Sequence, residues 1–297
     1  MSDTVRSFVE AEKQAGRNVA KACELLQVSR SAYYASINRA PSTRARTDAA
    51  LVKRIAEIHA ESRSTYGSPR VLAELVDGGV HVSRKRVARL MAGAGLVGCR
   101  RRRRKQTTIA GAEARAINLV NRVFGPGNWA LDRAWCGDVT YIRTWEGWAY
   151  LATVIDLASR RVVGWAMADN METDLVADAL RMAIAERAPA PGLLFHSDRG
   201  SQYTSEQFRT LLTGAGITQS LSRRGQCWDN AVAESWFATY KAELVDRGVW
   251  PNLARLRTAT FDYIEVFYNR RRRHSALGQL SPACYELNHK HPATQAA

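Results

Sequence analysis

The chain has 297 residues, with 43 Lys or Arg against 28 Asp or Glu, so its formal net charge at pH 7 is +15. This excess favours a nucleic-acid partner, because binding releases the counterions condensed on a polyphosphate. The sequence contains neither an apolar run of about 20 residues that would cross a bilayer nor a signal-peptide pattern. Its five scattered cysteines predict reduced thiols in a cytoplasmic protein.

Residues 1–45 form the first predicted unit, a helix-turn-helix-like segment. Apolar residues at helical spacing, Val19, Cys23 and Leu26, predict one helix, and Ser29 is placed to cap a second. Two interpretations remain open, a helix-turn-helix that reads DNA and an ordinary helical hairpin.

Residues 46–99 predict a second helical DNA-binding domain with three helices. Pro69 suits the first position of the middle helix, and Ser83 is placed to cap the last one. The exposed face of that last helix is basic and carries no acid, which favours DNA binding over a simply solvated face. Its basic residues are Arg84, Lys85, Arg86 and Arg89.

Residues 100–128 predict a linker that opens with a block of like charges. Such a block repels itself and stays extended. We expect it to be solvated and also to track DNA phosphates. The block consists of Arg100, Arg101, Arg102, Arg103, Arg104 and Lys105.

Residues 129–247 change to a pattern of strands and helices. Three β-rich runs joined by short turns predict an antiparallel meander. A helix over 173–187 and a short buried strand over 192–196 follow, then a helix, a fifth strand and further helices. The fold class is therefore α/β, a mixed five-stranded sheet flanked by helices and preceded by all-α modules.

Three carboxylates stand out because each lies on a different predicted element. Asp138 lies within the first strand, Asp198 follows the fourth strand, and Glu234 is in the first turn of a helix, 35 residues lying between Asp198 and Glu234. Open α/β sheets place their sites beyond the carboxyl ends of strands, so the three acids can converge. Crowded carboxylates repel one another without a cation, and their hard oxygens suit Mg²⁺ or Mn²⁺. Two such ions can stabilise the attacking and leaving oxygens of an in-line displacement.

Taken singly, each acid is weak evidence for a metal site. An Asp at a strand end is often a turn or cap residue, and a Glu in the first turn of a helix can complement the helix dipole. By position alone, four other acids compete for the role: Asp156, Glu206, Asp229 and Glu243.

Five motifs, in this order, resemble insertion-sequence transposases with a retroviral-integrase-like core, more narrowly their OrfB branch. They are WCGDVTYI, VIDLASRRVVGWA, FHSDRGSQYTS, GQCWDNAVAESWFATYKAEL and FYNRRRRHSALGQLSP. The resemblance implies a ribonuclease-H-like fold and assigns catalysis and the binding of two Mg²⁺ or Mn²⁺ ions to Asp138, Asp198 and Glu234. It further implies cleavage at the terminal inverted repeats of a mobile element, followed by strand transfer, without a covalent protein–DNA intermediate.

Further site residues surround the acids. The family carries a basic residue seven positions after the Glu, here Lys241, and the resemblance implies that it contacts element-end DNA; a solvated lysine is the alternative. His196 and Gln202 flank Asp198 as supporting residues, with a packed strand residue as the alternative for His196. Asn230 is interpreted as a helix cap rather than a base reader.

Residues 248–297 predict a C-terminal helix and a basic tail. A second basic run stands at the end of that helix, and DNA backbone is its preferred partner, with solvated arginines as the alternative. The run consists of Arg270, Arg271, Arg272 and Arg273.

The chain departs from the resemblance in two respects. Nothing in it has the spacing of the two-His, two-Cys zinc module of retroviral integrases, so no zinc is expected. In the OrfB branch a separate upstream frame often supplies a helix-turn-helix with a leucine zipper, and this chain lacks sustained heptads. The alternatives are a chain that acts alone and one that acts fused to such a partner.

The favoured hypothesis is a bacterial, cytoplasmic, nucleoid-associated DNA transposase that depends on metal ions. Its expected partners are double-stranded DNA, as terminal inverted repeats and target, and at least one further copy of the chain, since two element ends are joined. The alternatives are a structure-specific nuclease of the same fold and a non-enzymatic DNA-binding repressor. The basic runs and Lys241 favour an enzyme that holds two DNAs, and the acid trio disfavours a repressor.

Overall fold

The structure, a computed structural model, describes residues 3–38, 40, 42–99, 119–120, 125–223 and 230–290. The predicted basic block Arg100 to Lys105 and the competing acid Asp229 lie outside these residues. Contacts divide the chain into two compact units, Met1–Ala56 and Glu57–Ala297. Among the described residues, no helix combines the length and apolarity that a membrane crossing needs.

The first unit contains the predicted pair of helices, α2 (Val19–Leu25) and α3 (Arg30–Asn38), after an additional helix, α1 (Asp3–Gln14). The Ser29 hydroxyl accepts a hydrogen bond from the Ala32 N–H at 3.1 Å, so it caps α3 as the sequence predicts. Val9 of α1 is buried with Cys23 and Tyr33 of the pair. The two predicted helices are therefore packed under a third, which supplies the apolar cover that a lone hairpin lacks.

Helix α4 (Thr43–Glu61) is followed by α5 (Ser68–Asp77) and α6 (Arg84–Gly93), which pack together. Pro69 lies in the first turn of α5, and the Ser83 hydroxyl accepts from the Arg86 N–H at 3.3 Å, as predicted. Helix α6 buries its apolar stripe and leaves Arg84, Lys85 and Arg89 exposed.

In the part of the chain that is described, five strands form one mixed sheet in the order β3-β2-β1-β4-β5. The strands are β1 (Ala134–Arg143), β2 (Trp148–Asp156), β3 (Val162–Ala168), β4 (Leu194–Ser197) and β5 (Thr218–Leu221). Strands β1 to β3 are an antiparallel meander, and β4 and β5 run parallel to β1. This topology confirms the predicted mixed, ribonuclease-H-like sheet.

Helices cover the sheet, and two of them, over 201–204 and 282–290, are additional to the predicted ones. They are α7 (Thr173–Arg187), α8 (Ser201–Thr204), α9 (Glu206–Gly214), α10 (Ala231–Glu243), α11 (Leu253–Phe261) and α12 (Pro282–Lys290). Helix α7 packs on β2 and β3. A Cβ atom at Gly164 of β3 would lie 2.2 Å from the Ala179 carbonyl oxygen of α7, so this close approach requires glycine. Helix α11 passes into a π-helix, Asp262–Tyr268, where the sequence predicts one regular helix.

Described residues of the C-terminal region, up to residue 290, pack against the rest of the second unit. The Asn269 side chain donates to the Val162 carbonyl oxygen and accepts from the Val162 N–H, both at 3.0 Å. Glu286 of α12 accepts from Arg187 at 2.9 Å and from Arg161 at 3.0 Å. These contacts, and others from α5, explain why one compact unit spans the boundaries predicted near residues 99 and 247.

Candidate active site

Asp138 lies in the part of β1 that still pairs with β2 but no longer pairs with β4. Strand β4 pairs with β1 only along Ala134–Cys136, whereas β2 pairs with it as far as Arg143. Asp138 is half-buried two residues beyond the last β4 pair, and its carboxylate accepts from the Val139 N–H at 2.8 Å. Its side chain therefore stands beside the carboxyl end of β4, the position at which open α/β sheets hold their sites.

Asp198 is the exposed residue that follows β4. Its carboxylate accepts from the Gly200 N–H at 2.9 Å, and a Cβ atom at Gly200 would lie 3.1 Å from that oxygen and from the Gln202 side-chain oxygen. The Gln202 amide donates to the Met171 carbonyl oxygen at 2.9 Å. Gly200 and Gln202 thus shape the turn that carries Asp198 into helix α8.

Helix α10 brings Glu234 to the sheet. It packs against β1, and the Asn230 side chain at its start donates to the Gly137 carbonyl oxygen at 3.2 Å. Asn230 occupies the N-cap position, but its side chain makes no capping hydrogen bond, so the prediction of its position is right and that of its contact is wrong. Because Gly137 directly precedes Asp138, this bond fixes the start of the helix next to the first acid.

The charges of Asp198 and Glu234 act on Asp138. Desolvation and then the charge of Asp198 raise the pKa of Asp138, with a further contribution from Glu234, to about 8. The Val139 N–H and the charge of Lys241 act in the opposite direction. Desolvation also raises the pKa of Glu234. Such mutual repulsion favours a cation among the carboxylates.

The three acids do not lie close enough together in this structure to form a metal-ligand set. Within the described ranges, no three His, Cys, Asp or Glu side chains are close enough to hold a metal ion. The donor chemistry still fits a hard cation, since all three groups offer carboxylate oxygens. Thr153 faces Asp138 across the β1–β2 pair, and its buried hydroxyl has no hydrogen-bond partner among the residues described. The Thr153 hydroxyl therefore adds an unsatisfied oxygen beside the Asp138 carboxylate.

Two of the competing acids have structural roles. The Asp156 carboxylate accepts from the N–H groups of Ala158 at 3.0 Å and Ser159 at 2.7 Å, which closes the turn after β2. Glu243 is buried and accepts from Arg272 at 2.6 and 2.7 Å. Both carboxylates are therefore used by the fold itself.

His196 lies inside the sheet rather than at its surface. Its Nδ1 atom is 2.9 Å from the Ser220 hydroxyl, and its Nε2 atom is 3.2 Å from the Ser222 hydroxyl. The ring thereby joins β4, which leads into Asp198, to β5 and the residue after it. These contacts match the packed interpretation of His196.

Lys241 lies two turns after Glu234 on α10. Its ammonium nitrogen is 5.2 Å from the centre of the Tyr141 ring, and its charge lowers the pKa of Asp138. The lysine therefore borders the acids, and its contact with DNA stays a prediction.

The four arginines of the second basic run have different environments. Arg272 is 2% exposed, because its guanidinium is held by Glu243. Arg273 donates to Glu74 of α5 at 2.7 and 3.0 Å. Arg270 and Arg271 are exposed. The structure thus corrects the prediction that all four contact DNA: Arg272 and Arg273 hold carboxylates within the fold, whereas Arg270 and Arg271 are the exposed members of the run.

Three models of known protein families match parts of the chain. Two models described as "Integrase core domain" match residues 131–227 and 215–282, and one described as "HTH-like domain" matches residues 46–105. The uncharacterized 31 kDa protein of insertion element IS600 from Shigella sonnei is 39% identical over 89% of this chain and 96% of its own length. The putative transposase for insertion sequence element IS986/IS6110 from Mycobacterium tuberculosis (strain CDC 1551 / Oshkosh) is 39% identical over 90% of this chain and 99% of its own length.

A solved structure is also similar. The catalytic core domain of HTLV-2 integrase, in complex with magnesium (dimeric form), aligns with 52% of this chain and 94% of its own, at 19% identity and a TM-score of 0.39.

The sheet order, together with the integrase core models that match residues 131–227 and 215–282, defines an integrase-type core. The chain belongs to the insertion-sequence transposases that carry this integrase core.

Proposed function

We propose that this transposase cleaves DNA at the ends of its element and transfers the freed strand to target DNA, using Asp138, Asp198 and Glu234 to bind two Mg²⁺ or Mn²⁺ ions. One observation carries the proposal: Asp138 on β1, Asp198 after β4 and Glu234 in the first turn of α10 lie near enough to one another that, besides desolvation, the charges of the other two acids raise the pKa of Asp138. Carboxylates that repel one another are costly in a fold and make sense mainly for function.

The bound ions would supply positive charge to the attacking and leaving oxygens of the phosphodiester. Asp138 would hold them from β1, Asp198 from the turn after β4, and Glu234 from α10. In the first step a water attacks the phosphodiester at the element end, and the strand leaves with a 3′-hydroxyl. In the second step that hydroxyl attacks a target phosphorus and displaces the 3′-oxygen of the adjoining target nucleotide, which leaves as a 3′-hydroxyl. The nucleophile is therefore an oxygen of water or of DNA in both steps.

The basic residues would hold the DNA. Lys241 lies next to the acids and is suited to an element-end phosphate. The surfaces of α6 and of the exposed arginine pair would bind duplex DNA through its phosphates, as would the basic block of the linker. The residues of these two described surfaces are Arg84, Lys85, Arg86, Arg89, Arg270 and Arg271. Joining two element ends requires at least two copies of the chain, and we place this activity at the bacterial nucleoid.

The test is a cleavage and joining assay with purified protein, Mg²⁺ or Mn²⁺, and labelled DNA bearing the terminal inverted repeats. We expect Asp138→Asn, Asp198→Asn and Glu234→Gln each to reduce cleavage and joining by about 100-fold or more, since each removes charge stabilisation at the reacting phosphate. Glu206→Gln is the matched control, because Glu206 is an exposed acid of α9, and it should keep wild-type activity.

Two results would contradict the proposal. Full activity of Asp198→Asn would remove the metal-site assignment. Hydrolysis without a joined product would favour a nuclease of the same fold.

A further inference from the structure

An exposed aromatic groove lies next to the candidate active site. It runs between the β1–β2 hairpin and the segment that follows α10, and Lys241 of α10 also lines it. Three of its aromatic side chains are well exposed: Tyr141 is 60% exposed, Trp145 74% and Trp148 45%. We call this surface the aromatic groove and define it by Tyr141, Arg143, Trp145, Trp148, Lys241 and Trp250.

The rings of the aromatic groove are interleaved with cations. The Tyr141 and Trp148 rings are in edge contact, with centroids 5.2 Å apart. The Arg143 guanidinium lies 5.2 Å from the centre of the Trp148 ring, and the Lys241 ammonium lies at the same distance from the Tyr141 ring. Asp246 is the acid that also lines the groove, so basic groups outnumber acidic ones there.

The backbone of the aromatic groove is fastened in place. The Trp145 N–H donates to the Trp250 carbonyl oxygen at 3.0 Å, which ties the hairpin turn to the segment after α10. The Trp250 indole donates to the Val245 carbonyl oxygen at 3.0 Å and lies so close to Gly248 that a Cβ atom there would be 2.5 Å from the ring. The Trp145 ring is therefore presented to solvent by a rigid support rather than by a loose loop.

In an enzyme that acts on DNA, exposed Trp and Tyr rings beside cations suit unpaired bases and the phosphates next to them. Inside a duplex, each base face is covered by its neighbours, so away from the terminal pair these rings can stack only with a base that has left the helix. Stacking tolerates any base, because every base has a flat π-face, and the neighbouring Arg and Lys meet the phosphates. The groove is also continuous with the site, since Lys241 borders both the groove and Asp138.

We propose that the aromatic groove binds an unpaired single strand of DNA next to the catalytic acids, with a base stacked on Trp145 and phosphates held by Arg143 and Lys241. The inference rests on the proposed function for the identity of the nucleic acid. It adds that the protein prefers DNA whose end has opened over a fully paired end.

The test compares the affinity of the full chain for two DNAs in a metal-free buffer, where no cleavage occurs. One probe is a blunt duplex of mixed sequence, and the other is the same duplex with a single-stranded tail of several nucleotides. We expect the wild type to bind the tailed probe more tightly. Trp145→Ala should weaken tailed binding by about tenfold, the loss expected for one stacked base, and leave blunt binding unchanged.

Two variants serve as controls. Trp145→Phe keeps a stacking ring and should keep most of the tail preference. Phe261→Ala removes an aromatic side chain that is 54% exposed on α11, outside the aromatic groove, and should bind both probes as the wild type does. The proposal is overturned if Trp145→Ala weakens both probes equally or neither. It is also overturned if that variant shifts the oligomeric state in sedimentation with the tail preference intact, because the surface would then join copies of the chain.

The design separates this inference from the catalytic proposal. Tail preference is measured without metal, so it does not depend on cleavage. If Asp198→Asn keeps full cleavage while tail preference still depends on Trp145, the metal-site assignment fails and the aromatic groove stands. If the acid variants lose activity and Trp145→Ala binds both probes as the wild type does, the metal-site assignment stands and the aromatic-groove proposal fails.

Discussion

Asp138 is held in an environment that disfavours its charge, and this has a consequence for stability. Its folded-state pKa of about 8 lies above the ordinary value of 3.8. Between these values the folded protein binds more protons than the unfolded chain, so the free energy of unfolding decreases as pH rises from about 4 to about 8. The acid cluster thus lowers the free energy of unfolding at neutral pH, a cost in stability that active sites often carry.

The variant Asp138→Asn should remove this pH-dependent loss. In metal-free buffer we expect its melting temperature to equal that of the wild type near pH 4 and to exceed it by at least about 2 °C near pH 8. Calorimetry across this pH range is the measurement, with Glu206→Gln as the control that should follow the wild type. A variant that is less stable than the wild type at pH 8 would show that the repulsion is absent.

At the scale of elements, the site depends on how α10 meets β1. The Asn230 side chain joins the start of the helix to the Gly137 carbonyl oxygen at 3.2 Å, and the Asn230 side-chain oxygen is buried without a partner among the described residues. One hydrogen bond of this kind contributes about 1 kcal/mol to stability. Its main effect is on position, because Glu234 follows one turn later on the same helix.

The variant Asn230→Ala should therefore raise the Mg²⁺ concentration needed for half-maximal cleavage, by about tenfold, while DNA affinity in metal-free buffer is unchanged. The matched control is Asn252→Ala. Asn252 begins α11, where its side chain accepts from the Arg255 N–H at 2.9 Å. Its loss should reduce stability by about 1 kcal/mol and leave the Mg²⁺ dependence as in the wild type. Equal Mg²⁺ curves for all three proteins would contradict a positioning role for Asn230.

At the scale of the whole molecule, one buried and one partly buried ion pair hold the second unit together across long stretches of sequence. Arg272 joins the C-terminal region to Glu243 of α10, and Arg273 joins it to Glu74 of α5. Tyr263 also donates to Glu243, at 2.9 Å. Both arginines belong to the basic run that the sequence predicts to contact DNA, yet their guanidinium groups pair with carboxylates of the protein itself.

The pair Arg272→Ala and Arg271→Ala tests this division. Removal of Arg272 leaves the buried Glu243 carboxylate without its main partner, and we expect a loss of about 3–5 kcal/mol in the free energy of unfolding. Arg271 is exposed, with Glu61 at 3.8 Å, so its removal should change stability by about 0.5 kcal/mol or less. Urea unfolding of both variants is the measurement. Equal losses would mean that Arg272 is not the structural member of the run.

Local patterns in the sequence predicted several elements well. The alternation of β-rich runs with short turns predicted the meander, the apolar spacing predicted α7 over 173–187, and Ser29 and Ser83 cap the helices that they were expected to cap. These features depend on neighbours within a few residues, and such short-range preferences can be read from one chain. Helix α1 is not among the predicted elements, although Val5, Phe8 and Val9 recur in it at helical spacing. The π-helix after α11 is not predicted either, because no local pattern distinguishes it from a regular helix.

The sequence by itself determined the class of sheet, the basic character and the three acids on three different elements, since periodicity, charge and spacing are properties of the linear chain. Only the tertiary structure decided which charged groups face one another. It separated Asp138, Asp198 and Glu234 from Asp156 and Glu243, which the fold uses, and it divided Arg270 and Arg271 from their two neighbours. It also gathered the rings of the aromatic groove from the hairpin and from the segment after α10. The physical reason is that burial and pairing of charges depend on contacts between residues far apart in the chain, which no local pattern encodes.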